Sequence, residues 1–286
     1  MTETCTTRNR NTENNITHLG GIFLEKVDTR KLYDIASASV GYVSIWVNGD
    51  IGAGHGSSFL YKQLIDTEKN SSTLFFMTNA HVTEILDDYI TKAIFGKCSR
   101  EDIETSSIVF GTRIKDHIYP IKYVLVPKIF SEKQYAFQGD FAVFSVEIEG
   151  VEEFDFFSID PRKNAQLYPG KKLFAFGYPT DAALSMRQGI VSNIGKTIPN
   201  TIQHDVLTNG GDSGGATVLE TGEVVGITVG GQEEHYGRIV AGLNFSVEMR
   251  HILETISDSS QMIKNDVSAV IESARTQVKY LFNSTL

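Results

Sequence analysis

Asn209-Gly210-Gly211-Asp212-Ser213-Gly214-Gly215 is the stretch on which the reading of this chain turns: glycines flank a single Asp-Ser pair, and the apolar run Ala216 to Leu219 follows at once. A turn so rich in glycine exposes its one hydroxyl beside bare backbone amides, because its neighbours carry no Cβ to crowd a group brought against it. Acyl transfer needs that arrangement, with a nucleophile on one side of a carbonyl and N–H donors on the other. A Ser hydroxyl is a weak nucleophile at its free pKa, so a base and an orienting acid must come from elsewhere in the chain. By itself the turn is also compatible with an ordinary loop.

Working outward, both partners stand upstream, each at the end of an apolar strand pattern. His81 ends Leu74-Phe75-Phe76-Met77-Thr78-Asn79-Ala80-His81-Val82, and Asp140 opens Gly139-Asp140-Phe141-Ala142-Val143-Phe144-Ser145-Val146. A lone His or a Gly-Asp pair is most often structural; the weight lies in all three occurring together, each in its own strand context. The other histidines, His18, His55, His117, His204, His235 and His251, show no paired-ligand spacing, so neither a metal nor an organic cofactor is expected.

The surrounding chain reads as an all-β body. Short apolar or alternating runs bounded by Gly, Asn and Asp recur at Tyr42 to Val47, Ser58 to Tyr61, Leu74 to Met77, Ile108 to Phe110, Ile121 to Val126, Phe141 to Ile148, Lys172 to Phe176, Gly189 to Ile194, Val224 to Val229 and Ile239 to Phe245. Two segments depart from that pattern. Thr83 to Tyr89, directly after His81, reads as a short helix or turn. At the C-terminus, Val247 to Ile256 and Met262 to Phe282 form an amphipathic helix pair, with Ile263, Val267, Val270, Ile271, Ala274, Val278 and Leu281 at spacings of three and four. That stripe packs on its own subunit or, alternatively, forms a homo-oligomer or partner-docking helix.

In a chain of 286 residues, 26 Lys and Arg stand against 35 Asp and Glu, a net charge of −9 that repels a phosphate backbone and argues against nucleic acid as a main partner. Residues 1–18 have almost no apolar side chain besides Ile16 and are expected to be a disordered tail, with neither a signal sequence nor a membrane span. Two cysteines, Cys5 and Cys98, cannot supply a disulfide framework, so the expected compartment is the cytoplasm.

With His81, Asp140 and Ser213 in that order, in the contexts Thr-x-Ala-His, Asp-Phe-Ala and Gly-Asp-Ser-Gly-Gly, the sequence resembles the chymotrypsin-like (trypsin-like) serine peptidases. It is most similar to their disulfide-free bacterial branch, the HtrA/Deg peptidases and glutamyl endopeptidases. Gly54-His55-Gly56-Ser57-Ser58-Phe59, Ala175-Phe176-Gly177-Tyr178-Pro179, Gly189-Ile190-Val191-Ser192, Gly226-Ile227 and Gly242-Leu243-Asn244-Phe245 all fit that branch. The resemblance implies two six-stranded antiparallel β-barrels, at residues 40–150 and 165–250, within a protease domain at 19–257, followed by a C-terminal helix at 258–286. It also implies a serine endopeptidase acting on protein or peptide substrates. Ser213 is then the nucleophile, His81 the general base and acid, and Asp140 the group that holds the imidazole tautomer. The oxyanion hole lies at Gly211, Asp212 and Ser213, built from the N–H groups of Gly211 and Ser213.

The departures from the family are informative. Val82 follows His81, where secreted relatives carry Cys, and the chain ends too soon after the body for a PDZ domain. Asp212 stands where the HtrA-type pattern usually has Asn, and a buried carboxylate there needs a charged or hydrogen-bonding partner. The expectation is a latent enzyme whose oxyanion turn is misformed until Asp212 finds that partner, including an activating protein. By alignment the substrate pocket is lined by Leu207, Thr208, Val229, Gly230, Gly231 and Gly242. It has no acid at its base to select Lys or Arg and no His at Thr228 to select Glu, so small or medium apolar residues are expected before the scissile bond, unless Asp205 turns inward. The alternative function is a non-catalytic binding or scaffolding protein that keeps the fold.

Overall fold

The computed structural model describes residues 6–13, 15–24, 28–84, 86–99, 101–132, 137–160, 167–181, 183–231, 234–235, 238–239 and 243–284. The chain opens with a hairpin, β1 (Thr6–Glu13) and β2 (Ile16–Leu24), turned at Asn15 in the left-handed region (φ 62°). The expected tail at 1–18 is therefore a hairpin over its described part. Its polar composition concealed two anchors that only tertiary structure provides. Arg8 reaches Asp155 at 2.8 Å and the Phe154 carbonyl at 2.7 Å, and Arg10 grips Glu153 at 2.7 Å. Beyond the turn, Leu19, Ile22 and Leu24 enter the core, while β2 pairs with the far half of a long strand from Ile16 opposite Asp66 to Leu19 opposite Gln63.

Helix α1 (Thr29–Ser39) follows, a segment with no counterpart in the sequence reading. Asp28 caps it by accepting from the Lys31 N–H at 3.1 Å, and Leu32, Ile35, Ala36 and Ser39 form one buried stripe at helical spacing. That stripe packs with Phe59, Phe157, Phe174, Phe176 and Val218, in a hydrophobic cluster shared by the two halves of the molecule.

The first half is a curled sheet built from β3 (Val40–Val47), β4 (Asp50–Asp66), β5 (Ser71–Thr78), β6 (Ile108–Ile114), β7 (His117–Pro120), β8 (Tyr123–Pro127) and β9 (Ala142–Glu149). Helices α2 (Ala80–Glu84) and α3 (Leu86–Lys97) close one end, and α4 (Lys128–Glu132) leads toward Asp140. The helix expected at Thr83 to Tyr89 thus begins earlier and places His81 in its first turn. Leu74 and Phe76 of β5 alternate inward, and Phe76 stacks on Phe144 with ring centroids 5.2 Å apart.

The second half is a closed barrel in the order β10 (Lys172–Gly177), β11 (Ser185–Ile194), β12 (Thr201–His204), β17 (Asn244–Glu248), β14 (Val224–Gly231) and β13 (Ala216–Leu219). Its interior is filled by Leu173, Ala175, Val191, Ile202, Val206 and Val225. A two-strand hairpin, β15 (Glu234–His235) and β16 (Arg238–Ile239), stands apart from it. The architecture is chymotrypsin-like, with one difference from two closed barrels: the first sheet, extended by β18 (Met262–Asp266), runs β18-β8-β9-β5-β4-β3-β6-β7 and stays open.

Its added edge strand corrects the C-terminal reading. After α5 (Met249–Ser257), residues Met262–Asp266 are strand β18, antiparallel to β8 with Ile263 opposite Val126, and only Val267–Ser284 is helix α6. Asp266 sets the boundary by accepting from the Ser268 N–H at 2.9 Å, so the helical pattern cannot extend back through it. Val267, Ala274 and Val278 pack into the first-half core, and buried Arg275 donates to the carbonyls of Ile103 and Ser106. This stretch of the helix stripe is covered by the chain itself.

Candidate active site

Each member of the expected triad sits where an element ends. Strand β5 delivers Asn79, Ala80 and His81 to the mouth between the halves, and a single 3₁₀ turn, Phe137–Gly139, delivers Asp140 opposite them. Asp140 is 5% exposed and uses both carboxylate oxygens on one residue: Oδ1 accepts from the His81 N–H at 2.9 Å, and Oδ2 lies 2.7 Å from His81 Nδ1. Asn79 Nδ2 donates to the Asp140 carbonyl at 2.6 Å, which fixes the acid's backbone as well. A carboxylate facing Nδ1 holds the ring proton there and leaves Nε2 as the free basic atom.

The nucleophile turn lies against this pair. Gly56 of β4 is wedged between them: a Cβ on it would stand 2.7 Å from Val82, the neighbour of His81, and 3.3 Å from the Ser213 carbonyl. Next along β4, Ser57 ties the turn down by donating its N–H to the Ser213 carbonyl at 2.7 Å and its hydroxyl to the Gly211 carbonyl at 2.7 Å. Gly214 has φ +89°, and a Cβ there would collide with the Ser57 carbonyl, so this position admits only glycine.

Peptide orientation in the turn follows from its hydrogen bonds. The Gly210 carbonyl accepts from the Thr180 N–H at 2.7 Å, and the Asp212 carbonyl from the Gly215 N–H at 2.9 Å. In a trans peptide the N–H points opposite to the C=O, so the Gly211 and Ser213 amides face the other way. Among the described residues neither has an acceptor. Two N–H groups without an acceptor among the described residues thus lie at Ser213. Thr180, which aims the first of these peptides, is itself in the left-handed region at φ 49°. Asp212 does not join the donors, as its N–H is used on the Asn209 carbonyl at 3.1 Å.

The Asp212 carboxylate, 1% exposed, accepts from the Asn209 N–H at 2.7 Å through Oδ2 and is ion-paired through Oδ1 with Arg187 Nη2 of β11. Its cation is therefore internal to the chain. Arg187 was not singled out in the sequence, where it lies just ahead of a strand signature and far from the Ser.

In this resting geometry Ser213 Oγ donates to the Val229 carbonyl at 2.8 Å. Behind it, Thr228 holds the turn from both sides, with the Gly214 N–H on its carbonyl at 2.8 Å and its own N–H on the Gly215 carbonyl at 2.9 Å. The Thr228 hydroxyl begins a buried chain through Thr217 and Ser246 to His204 Nε2, with links of 2.9, 2.7 and 3.0 Å. Burial pushes the His204 imidazole down to about 4, so it is neutral in this interior.

Of the expected pocket, Thr208 donates to Asn244 Oδ1 at 2.6 Å, and Gly231 pairs with Asn244 in the β14–β17 ladder. Leu207 is 65% exposed, at a rim and not at a buried floor. Gly242 lies outside the described residues. Asp205 is turned away onto β11, where its Oδ1 accepts from the Ile190 N–H at 2.6 Å. Asn244, which accepts from Thr208, stands in the closing-strand stretch Gly242-Leu243-Asn244-Phe245 but was not singled out as a pocket residue.

Fold and site together define a chymotrypsin-like serine peptidase. Residues 56–227 match the trypsin-like peptidase domain, well over half of the chain, and the protein belongs to the trypsin-like peptidase family. It is 36% identical over 101 residues to the serine endoprotease DegS of Haemophilus influenzae, covering 32% of this chain and 30% of that protein. It is 27% identical over 129 residues to the chloroplastic protease Do-like 5 of Arabidopsis thaliana, covering 41% and 38%. The chain therefore matches well under half the length of these curated relatives. Among solved structures it resembles the serine endoprotease from Yersinia pestis, with TM-score 0.52 and 20% identity over 80% of this chain and 65% of that one. An HtrA-type protease solved with a tripeptide gives TM-score 0.52 and 17% identity over 82% and 64%. These two likenesses concern the fold.

Proposed function

We propose that this protein is a serine endopeptidase that cleaves protein substrates with His81, Asp140 and Ser213. One observation carries the reading: the hydrogen-bonded His81–Asp140 pair stands beside the turn whose Gly211 and Ser213 amides have no acceptor among the described residues. Ser213 Oγ attacks the scissile carbonyl and passes its proton to His81 Nε2. The carbonyl oxygen, now anionic, accepts from the two amides, and His81 returns the proton to the leaving amine. The acyl-enzyme is then released by water, with His81 again as the base.

The resting hydrogen bond from Ser213 to Val229 means that the nucleophile must first turn about its Cα–Cβ bond toward His81. We place the latency of this enzyme in that rotation, triggered by substrate, and not in the oxyanion turn, whose carboxylate already has Arg187. For the residue before the scissile bond we retain small or medium apolar side chains, since Asp205 is committed to Ile190.

Labelling purified protein with a fluorophosphonate probe tests the reading, with circular dichroism to confirm folding. Labelling of the wild type and its loss in Ser213→Ala is the expected result. A folded wild type that stays unlabelled even with a broad peptide library present overturns it.

A further inference from the structure

We propose that Arg187 is a positioning residue for catalysis, acting through Asp212 to hold the oxyanion turn. The proposal rests on the serine peptidase reading of the same site. Three observations meet at one carboxylate. Asp212 is 1% exposed, so its charge must be compensated within the protein. Its Oδ2 accepts from the Asn209 N–H, which fastens the start of the turn, while Oδ1 takes the Arg187 guanidinium from the neighbouring strand β11. Between the two anchors lies Gly211, at φ +95°, a glycine free to let its peptide rotate. The outer anchor therefore decides whether the Gly211 N–H faces the substrate oxygen.

No other Lys or Arg is ion-paired to Asp212 among the described residues, and the Gly210 carbonyl is steadied from outside only by Thr180. Arg187 Nε is buried with no acceptor among the described residues, so the guanidinium meets Asp212 through Nη2 rather than as a two-pronged fork. A point charge can reproduce such a contact in part, which separates charge from shape.

Removing Arg187 alone leaves an uncompensated buried carboxylate, and the turn escapes by moving Asp212 toward water. Removing both charges does not create that demand. Asn at 212 still presents an oxygen to the Asn209 N–H.

The experiment compares wild type, Arg187→Gln, Arg187→Lys, Asp212→Asn and the double variant Arg187→Gln/Asp212→Asn. It reads the second-order rate of fluorophosphonate labelling at Ser213, the kcat and KM split on any cleaved peptide, and hydrogen exchange of the 209–215 amides. Loss of one oxyanion donor is worth about 100-fold or more in rate. The expectation is therefore a drop of about 100-fold for Arg187→Gln, in kcat rather than KM, with faster exchange confined to the turn. Arg187→Lys recovers part of the rate, and the double variant returns to within about tenfold of wild type.

Wild-type labelling by Arg187→Gln overturns the proposal. So does a double variant no better than Arg187→Gln, because the effect would then not pass through the Asp212 charge. If the wild type itself does not label, the peptidase reading fails separately, and the exchange data still decide. Turn protection lost in Arg187→Gln and restored in the double variant supports the clamp, and unchanged protection refutes it.

Discussion

Changing Asp140 to Asn removes a single charge, and the geometry dictates how the new amide must sit. In the wild type, Oδ1 accepts from the His81 backbone N–H at 2.9 Å and Oδ2 faces His81 Nδ1 at 2.7 Å. An amide has only one oxygen to offer. If it faces the backbone N–H, its NH₂ points at Nδ1 and forces the ring proton onto Nε2, so His81 can no longer accept the Ser213 proton. The opposite orientation sets two donors against each other at the backbone, and a buried unmet donor costs about 1–3 kcal/mol. With Asp140 only 5% exposed, water cannot relieve the clash, and the disabling orientation wins. The same change in the Ser-His-Asp template lowers kcat by about 10⁴-fold, or about 5 kcal/mol. We expect Asp140→Asn to slow fluorophosphonate labelling by about that factor at pH 7, with an unchanged circular dichroism spectrum. Labelling within about tenfold of wild type would refute the assignment of Asp140 as the group that sets the His81 tautomer.

Two further outcomes concern stability. The His204 imidazole, held down to about 4 against 6.5 when free, takes up its proton in the unfolded chain first, so stability is full above pH 6.5 and falls as pH drops toward 4. Urea titrations at pH 7 and pH 5 should differ by on the order of 2 kcal/mol from this group, and His204→Gln should remove that difference; an identical pH slope in the variant contradicts the neutral buried role. Arg275→Met should cost about 2–4 kcal/mol, because two buried carbonyls, Ile103 and Ser106, lose a charged donor. Limited proteolysis should then release the 267–284 helix first, and a variant as resistant as wild type counts against that docking.

The parts of the site that were legible in the sequence are those whose chemistry demands a particular residue beside a strand pattern: His81 after Leu74-Phe75-Phe76-Met77, Asp140 before Phe141-Ala142-Val143, and Ser213 among glycines. The parts that were not legible depend on partners distant in the chain. Arg187 looks like any strand-end arginine until β11 carries it beside Asp212. Ser57 looks like a small strand residue until it holds Gly211 and Ser213. The same holds for the fold. A polar composition at residues 6–13 suggested disorder because local burial is low, yet Arg8 and Arg10 find carboxylates more than a hundred residues away. Met262 to Asp266 kept the helical spacing of the segment after it, and β8's open edge outweighed that pattern.

The reach of Ser57 across the molecule has a consequence for how activity arises. The turn bearing Ser213 belongs to the C-terminal half, but its floor is a strand of the N-terminal half, secured in turn by the Thr78 hydroxyl on the Ser57 carbonyl at 2.7 Å. Neither half expressed alone contains the complete site. Catalytic competence appears only when the two halves have folded and met, so a burst of labelling during refolding times their docking. A chain caught before that moment carries its nucleophile harmlessly.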